Sequence, residues 1–247
     1  MYKLYSCLLV SSTLYCTNVT LQEIGHKVWQ NECAGSVAGL TSWNTGEDCA
    51  SMGIGHCIWY PKNKKTNFTE TFPELLLFIE NRGKKIPNFI NKSPNRVCPW
   101  NTRDEFIDNQ NSPEMLELRQ FLVDTLDAQI LFLEKKLHTF ESDNKNLNIK
   151  KQYNRVLQSP NGLYALIDYL NFKGAGTSPK ERYNGYGWGL FQVLETMQGT
   201  EPGVAALQEF ARAAEYVLER RVKNAPFDRH EERWLRGWKN RIKTYTK

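Results

Sequence analysis

The sequence predicts an α+β protein, predominantly helical, arranged as two lobes with a small β-element near the N-terminus. Three observations carry this expectation. Apolar residues recur at three- and four-residue spacing through most of the chain after position 70. A single passage, 34–60, is rich in Gly, Asn and Thr between apolar, strand-like runs. With 247 residues, 40% of them hydrophobic and 12% aromatic, the chain can bury a full core, which argues against disorder.

In chain order, residues 1–16 (MYKLYSCLLVSSTLYC) set Lys3 before an apolar run too short to cross a bilayer. Residues 1–17 read as a secretory signal peptide, so the expectation is an exported protein, periplasmic or secreted. Residues 18–247 then form one domain, with a β-containing lobe over about 30–62 and a helical lobe over about 100–247. Leu21, Ile24, Val28 and Trp29 predict a helix over 19–32 that ends on Glu32. Gly35, Gly39, Asn44-Thr45-Gly46 and Gly53 punctuate the β-rich passage, which closes on Ile58-Trp59-Tyr60 before Pro61.

Residues 72–81 predict a short apolar helix stopped by Gly83, and 88–100, rich in Pro and Asn, a connection between lobes. Ser112-Pro113-Glu114 is a helix start: a capping residue, proline in the first turn, and an acid near the positive end of the dipole. The stripe Leu118, Phe121, Leu122, Leu126, Ile130, Leu133 and Leu137 predicts one continuous core helix, followed by a polar break over 141–151. Helices are expected at 161–172, 188–197 and 204–222, with a Gly-rich loop over 173–187. The last segment, 228–245, places Trp234, Trp238, Ile242 and Tyr245 on one face. No internal repeat or low-complexity tract occurs.

A net charge of +5 and a pI near 8.8 favour an anionic partner, and a cell-wall polymer, nucleic acid and a membrane surface all satisfy that sign. No helix-turn-helix or zinc signature supports nucleic acid, and no run after the leader predicts a membrane span. Cys33, Cys49, Cys57 and Cys98 are even in number and permit two disulfides of open pairing, or buried thiols. Without CxxC spacing, and with Trp234 where His230-Glu231-Glu232 would need a second histidine, neither a metal nor a cofactor is expected. Arg220, Arg221, Arg229, Arg233, Arg236 and Arg241 read as a solvated helix face, with an anionic polymer as the alternative partner.

The chemistry concentrates between Trp29 and Tyr60. Glu32 ends a helix, where the dipole disfavours a carboxylate, so a functional role would explain its place. It is followed by a small polar β-element containing Ser51-Met52-Gly53-Ile54-Gly55-His56. A helix-end acid held over such an element is a way to build a glycosidase, because partial burial favours the protonated acid and a groove remains for a polymer.

Glu32, Leu40, Trp43, Glu47, Ser51 and Gly53-Ile54-Gly55-His56 together resemble the phage-type muramidases of the lysozyme-like superfamily. More weakly, ALIDYLNFKG (165–174) resembles that family's central core helix, and 224–245 its Arg-rich closing helices. Residues 61–160 have no counterpart. The resemblance implies a two-lobed fold with a polysaccharide cleft, cleavage of the glycan backbone of peptidoglycan, and Glu32 as general acid. It also implies that Ser51 positions a water and that His56 is structural, tying the strand to the acid's helix.

The family's second acid falls on Thr45, with Glu47 and Asp48 nearby as candidates. An inverting hydrolase places its second carboxylate about 6.5–9.5 Å from the acid. A lytic transglycosylase needs a single Glu, and Gly189–Gln192 (GLFQ) resembles transglycosylase sequences. Asn171, Phe172, Trp188 and Gln192, around the Gly-rich loop, suit sugar binding through ring stacking and amide hydrogen bonds, with core packing the alternative. The expectation is a monomeric peptidoglycan-cleaving enzyme; a non-catalytic wall-binding protein with the same cleft is the alternative.

Overall fold

A computed structural model describes residues 20–62, 64, 69–179 and 181–247; the expected leader, 1–17, lies outside them. Among the described residues the protein is predominantly helical, with eleven α-helices and two small antiparallel sheets. Helix α1 (Leu21–Cys33) starts in a capping box, Glu23 N donating to Thr20 Oγ1 while Thr20 N donates to Glu23 Oε2. Strands β1 (Thr41–Ser42), β2 (Ala50–Met52) and β3 (Cys57–Trp59) follow as a meander, with Ser51 paired to Ser42 on one side and Ile58 on the other. Helices α2 (Phe72–Glu80), α3 (Asn88–Lys92), α4 (Arg103–Asp108) and α5 (Pro113–Asp124) lead to α6 (Leu126–Asp143).

Helix α6 is the spine. It packs on α1 and α2 on one side and on α8 (Gly162–Lys173) on the other. The remaining helices, α7 (Leu147–Leu157), α9 (Leu190–Thr196), α10 (Val204–Asn224) and α11 (Glu232–Ile242), pack on one another around α8. Phe132, Leu133 and Leu137 of α6 are buried in the same apolar cluster as Ile24, Val28, Leu166 and Phe210. Full burial of each such side chain contributes about 1.5–3 kcal/mol.

The Gly53-Ile54-Gly55 run seats the sheet on this spine. A side chain at Gly53, where φ is +72°, would meet Gln129 Oε1 of α6 at 2.4 Å; one at Gly55 would meet Leu133 at 3.0 Å and Asn171 at 3.1 Å. In that space Gln129 Oε1 accepts from Ile54 N (3.0 Å) and its Nε2 donates to Leu122 O (2.6 Å). A buried amide thus satisfies backbone groups of two elements at once.

Four segments differ from the sequence expectation. The expected continuous helix through Leu118 and Leu137 breaks at Thr125, whose buried hydroxyl donates back to Phe121 O (2.7 Å), a side-chain bond that competes with the helical ladder. The polar break is shorter than 141–151, because Asn146 accepts from Asn148 N and Ile149 N and starts α7. The connection 88–100 contains α3, and α4 follows, capped by Thr102 accepting from Glu105 N. The loop 173–187 contains a hairpin, β4 (Arg182–Tyr183) and β5 (Tyr186–Gly187). Its turn, Asn184-Gly185, holds two consecutive positive φ angles of 48° and 80°, the geometry Asn-Gly favours.

Candidate active site

Glu32 is the penultimate residue of α1, in a last turn that carries no basic residue. The negative end of the dipole is offset from across the fold. Arg241 Nη2 of α11 donates to Glu32 Oε1 at 2.6 Å, and Asn171 Nδ2 of α8 donates to the same oxygen at 3.1 Å. Oε2 is left facing His56, whose Nδ1 lies 3.5 Å away. His56 Nε2 meets Cys33 Sγ at 3.6 Å, so the imidazole joins the turn after β2 to the end of α1. Burial, reinforced by the Glu32 carboxylate, pushes the Cys33 thiol up to about 12 and keeps it protonated.

Arg241 is held as firmly as it holds. Its Nε and Nη2 each donate to Asp168 at 2.8 Å, and the Asp168 side chain is completely buried. Tyr245 OH (2.7 Å) and Asn31 Nδ2 (3.1 Å) also donate to Asp168, and Asn31 and Thr244 meet Tyr164 OH at 2.9 and 2.6 Å. Burial opposes the Arg241 charge, but Asp168 and Glu32 outweigh it and hold the guanidinium well above its ordinary value. The same burial and the Asp168 carboxylate push the Tyr245 phenol up, so it stays a donor.

Above Glu32 opens a cleft of about 260 Å³ that Asn44, Glu47, Ser51, His56, Asn171 and Phe172 also line. Glu47 is exposed, with Oε2 accepting from Asn44 Nδ2 at 3.1 Å. Ser51 sits on β2, 7% exposed. The cleft runs into a larger groove of about 1040 Å³ through Gly55, His56, Ile58 and Asn171. Lys135, Lys136 and Thr139 of α6 form one wall of that groove, and Thr177, Ser178 and Glu181 of the loop after α8 the other. Burial pushes the Glu181 carboxyl up, with Arg221 acting against it.

Six of the site residues expected from the sequence, Glu32, Glu47, Ser51, His56, Asn171 and Phe172, therefore meet at one cleft. Three do not. Asp48 points away, its exposed carboxylate paired with Lys64 Nζ at 3.2 Å. Trp188 is buried, its ring against Tyr183 (4.6 Å) and under Arg221 (4.2 Å). Gln192 spends its amide inside the loop: Oε1 accepts from Gly189 N (3.0 Å) and Nε2 donates to Gly176 O (2.9 Å). These last two hold the loop after α8 together and line neither cavity.

Asp168, Arg241, Tyr245 and Asn31 were not expected in the site. A lone acid in the apolar run ALIDYL was the available signal for Asp168. Arg241 and Arg221, read as solvated, are instead largely shielded partners of buried carboxylates. The cysteines Cys33, Cys49, Cys57 and Cys98 are buried free thiols. No helix among the described residues is long and apolar enough to cross a membrane. No protein-family model matches the chain, and no curated protein or solved structure matches it.

Proposed function

We propose that the protein cleaves the glycan strands of peptidoglycan or a related polysaccharide, with Glu32 as the general acid of a lysozyme-like cleft. The observation that carries this reading is the division of labour within the Glu32 carboxyl group. Oε1 is fixed by Arg241 and Asn171, while Oε2 meets only His56 Nδ1, at 3.5 Å, and Glu32 lines the cleft. Oε2 is the atom that gives its proton to the glycosidic oxygen as the bond to the anomeric carbon breaks.

Two completions of the reaction fit this start. In hydrolysis, water adds to the anomeric carbon and its proton passes to a base, for which Glu47 is the carboxylate in the cleft. In transglycosylation, the sugar's own hydroxyl closes on the anomeric carbon and returns its proton to Glu32. Thr45 in place of a second acid, and the exposure of Glu47 beside the turn, favour the single-acid route. The hydroxyls and amides of Ser51, Asn44 and Asn171, with the Phe172 ring, supply the mixed lining that sugars require.

The test is digestion of purified peptidoglycan by the protein, by Glu32→Gln and by Glu47→Gln, with products weighed by mass spectrometry. Anhydro-muramic products, lost in Glu32→Gln and kept in Glu47→Gln, support transglycosylation. Products that gain water and depend on both residues support hydrolysis. Binding without cleavage in all three proteins defeats the enzymatic reading and leaves a wall-binding protein.

A further inference from the structure

The larger groove holds an acid whose charge nothing in the protein offsets at contact. Glu181 lines the wall formed by the loop after α8, together with Gly174, Thr177, Ser178 and Phe191. Its side chain is half-buried, and among the described residues its carboxylate accepts no hydrogen bond and makes no ion pair. Two cations of neighbouring segments are engaged elsewhere. Arg221 gives Nε and Nη2 to Glu231 and acts on Glu181 only at longer range, and Lys173 Nζ lies over the Phe172 and Trp238 rings.

The position of Glu181 makes the missing partner costlier. A side chain on Gly174 would start 3.5 Å from Glu181 Oε2, so the carboxylate lies against the residue that caps the C-terminus of α8. A helix C-terminus carries partial negative charge, which disfavours an anion there and favours a cation. Burial adds to the cost and pushes the Glu181 carboxyl up. The opposite wall does not supply the cation: Lys135 faces Glu74 at 3.9 Å, and Lys136 lies over the Phe132 ring at 4.9 Å. Asp143 and Lys145, both exposed and of opposite sign, also line the groove. The Glu181 corner is close to the acid's own helix contact. Gly174 follows Asn171 by three residues, roughly 4.5 Å along a helix axis, and Asn171 bonds Glu32 and lines both the cleft and the groove.

We infer, resting on the glycan reading of the cleft, that Glu181 is a specificity residue that binds a primary ammonium group carried by the substrate. A single carboxylate at a helix C-terminus, on a wall with Thr177 and Ser178, suits a compact cation with three donors. Among the described residues no three His, Cys, Asp or Glu side chains gather there as metal ligands. An ammonium group enters glycan chemistry in two ways. It is the 2-amino group of a sugar that has lost its acetyl, or the free amine of a diamino acid in a peptide attached to the glycan. Both present the same charge and the same donors to Glu181.

The experiment is calorimetric binding to full-length Glu32→Gln and to the double variant Glu32→Gln with Glu181→Gln. One pair of probes is a glucosamine oligomer and its fully N-acetylated counterpart. The other is a short peptide carrying a diamino acid with a free side-chain amine, and the same peptide acetylated on that amine. Expected is about ten-fold tighter binding of the amine form in at least one pair, lost in the double variant. A preference in the first pair puts the amine on the sugar, and one in the second puts it on the peptide. Equal binding within both pairs overturns the inference, as does a preference that survives Glu181→Gln. The substitution strands no partner, and unchanged circular dichroism shows that the double variant folds. Binding is read without turnover, so amine-dependent binding with no cleavage by the wild-type protein upholds the role of Glu181 and defeats the enzymatic reading alone.

Discussion

Two arginine–carboxylate centres anchor the C-terminal helices, and they are built to different ends. Arg221 of α10 meets Glu231 through two bonds of 2.7 Å, Tyr183 OH adds a third at 2.9 Å, and the Glu231 side chain has no exposure. Both oxygens are bonded, and the product is a staple between the hairpin, α10 and the start of α11. Arg241 makes an equally closed pair with Asp168, but it also reaches a second carboxylate, Glu32, and touches only one of its oxygens. The difference is a second oxygen met only by His56 Nδ1, at 3.5 Å, on a residue that lines a cleft. A buried ion pair stabilises little by itself, and what distinguishes the second centre is the cleft-lining carboxyl group it fixes in place.

The largest effects separate the two centres. Glu32→Gln is expected to lower glycan cleavage by about 10²- to 10⁴-fold while changing unfolding free energy by about 1 kcal/mol or less. Arg221→Met does the reverse: it strands the buried Glu231 carboxylate and costs about 3–5 kcal/mol in a denaturant titration, with turnover per folded molecule retained. Equal stability losses in the two variants would break the comparison.

A smaller effect sharpens it. Gln192→Ala leaves Gly189 N and Gly176 O without partners inside the loop and is expected to cost about 1–3 kcal/mol, with KM unchanged. Asn171→Ala, which frees Glu32 Oε1 on one side, should shift kcat and its pH profile more than stability. A raised KM in Gln192→Ala would return that residue to the substrate.

The last expected effect is a slope. Burial, aided by the Arg221 and Arg241 charges, pushes the Lys173 amine from 10.5 down to about 6, against Phe172 at 4.0 Å and Trp238 at 3.5 Å. Between those two values the unfolded chain binds a proton that the native protein does not, so this residue makes stability rise with pH. Below about 6 its cost is constant and largest. Lys173→Met should flatten that part of the stability–pH curve and raise stability at neutral pH; an unchanged slope refutes the assignment.

The helical character, the start of α5 and the short β-element at 41–59 were legible because each is encoded by neighbours in sequence: a stripe, a cap, a glycine pair. Helix α7 was equally encoded, by Asn146 and the spacing of Ile149, Tyr153 and Val156, but its polar surroundings masked it. The break at Thr125 is different, since a buried threonine bonds backward only once both helices have packed.

The sequence by itself determined which residues could form helices, which glycines could admit a close neighbour, and that an acid would stand at the end of α1. Only the tertiary structure decided what that acid faces. Arg241 lies 209 positions from Glu32 and Asp168 lies 73 from Arg241, and no local periodicity links them. The burial that separates a solvated arginine from a site-building one is a property of the packed whole. The same holds for Trp188 and Gln192, whose residue types suit a sugar but whose surroundings leave them no solvent to meet one.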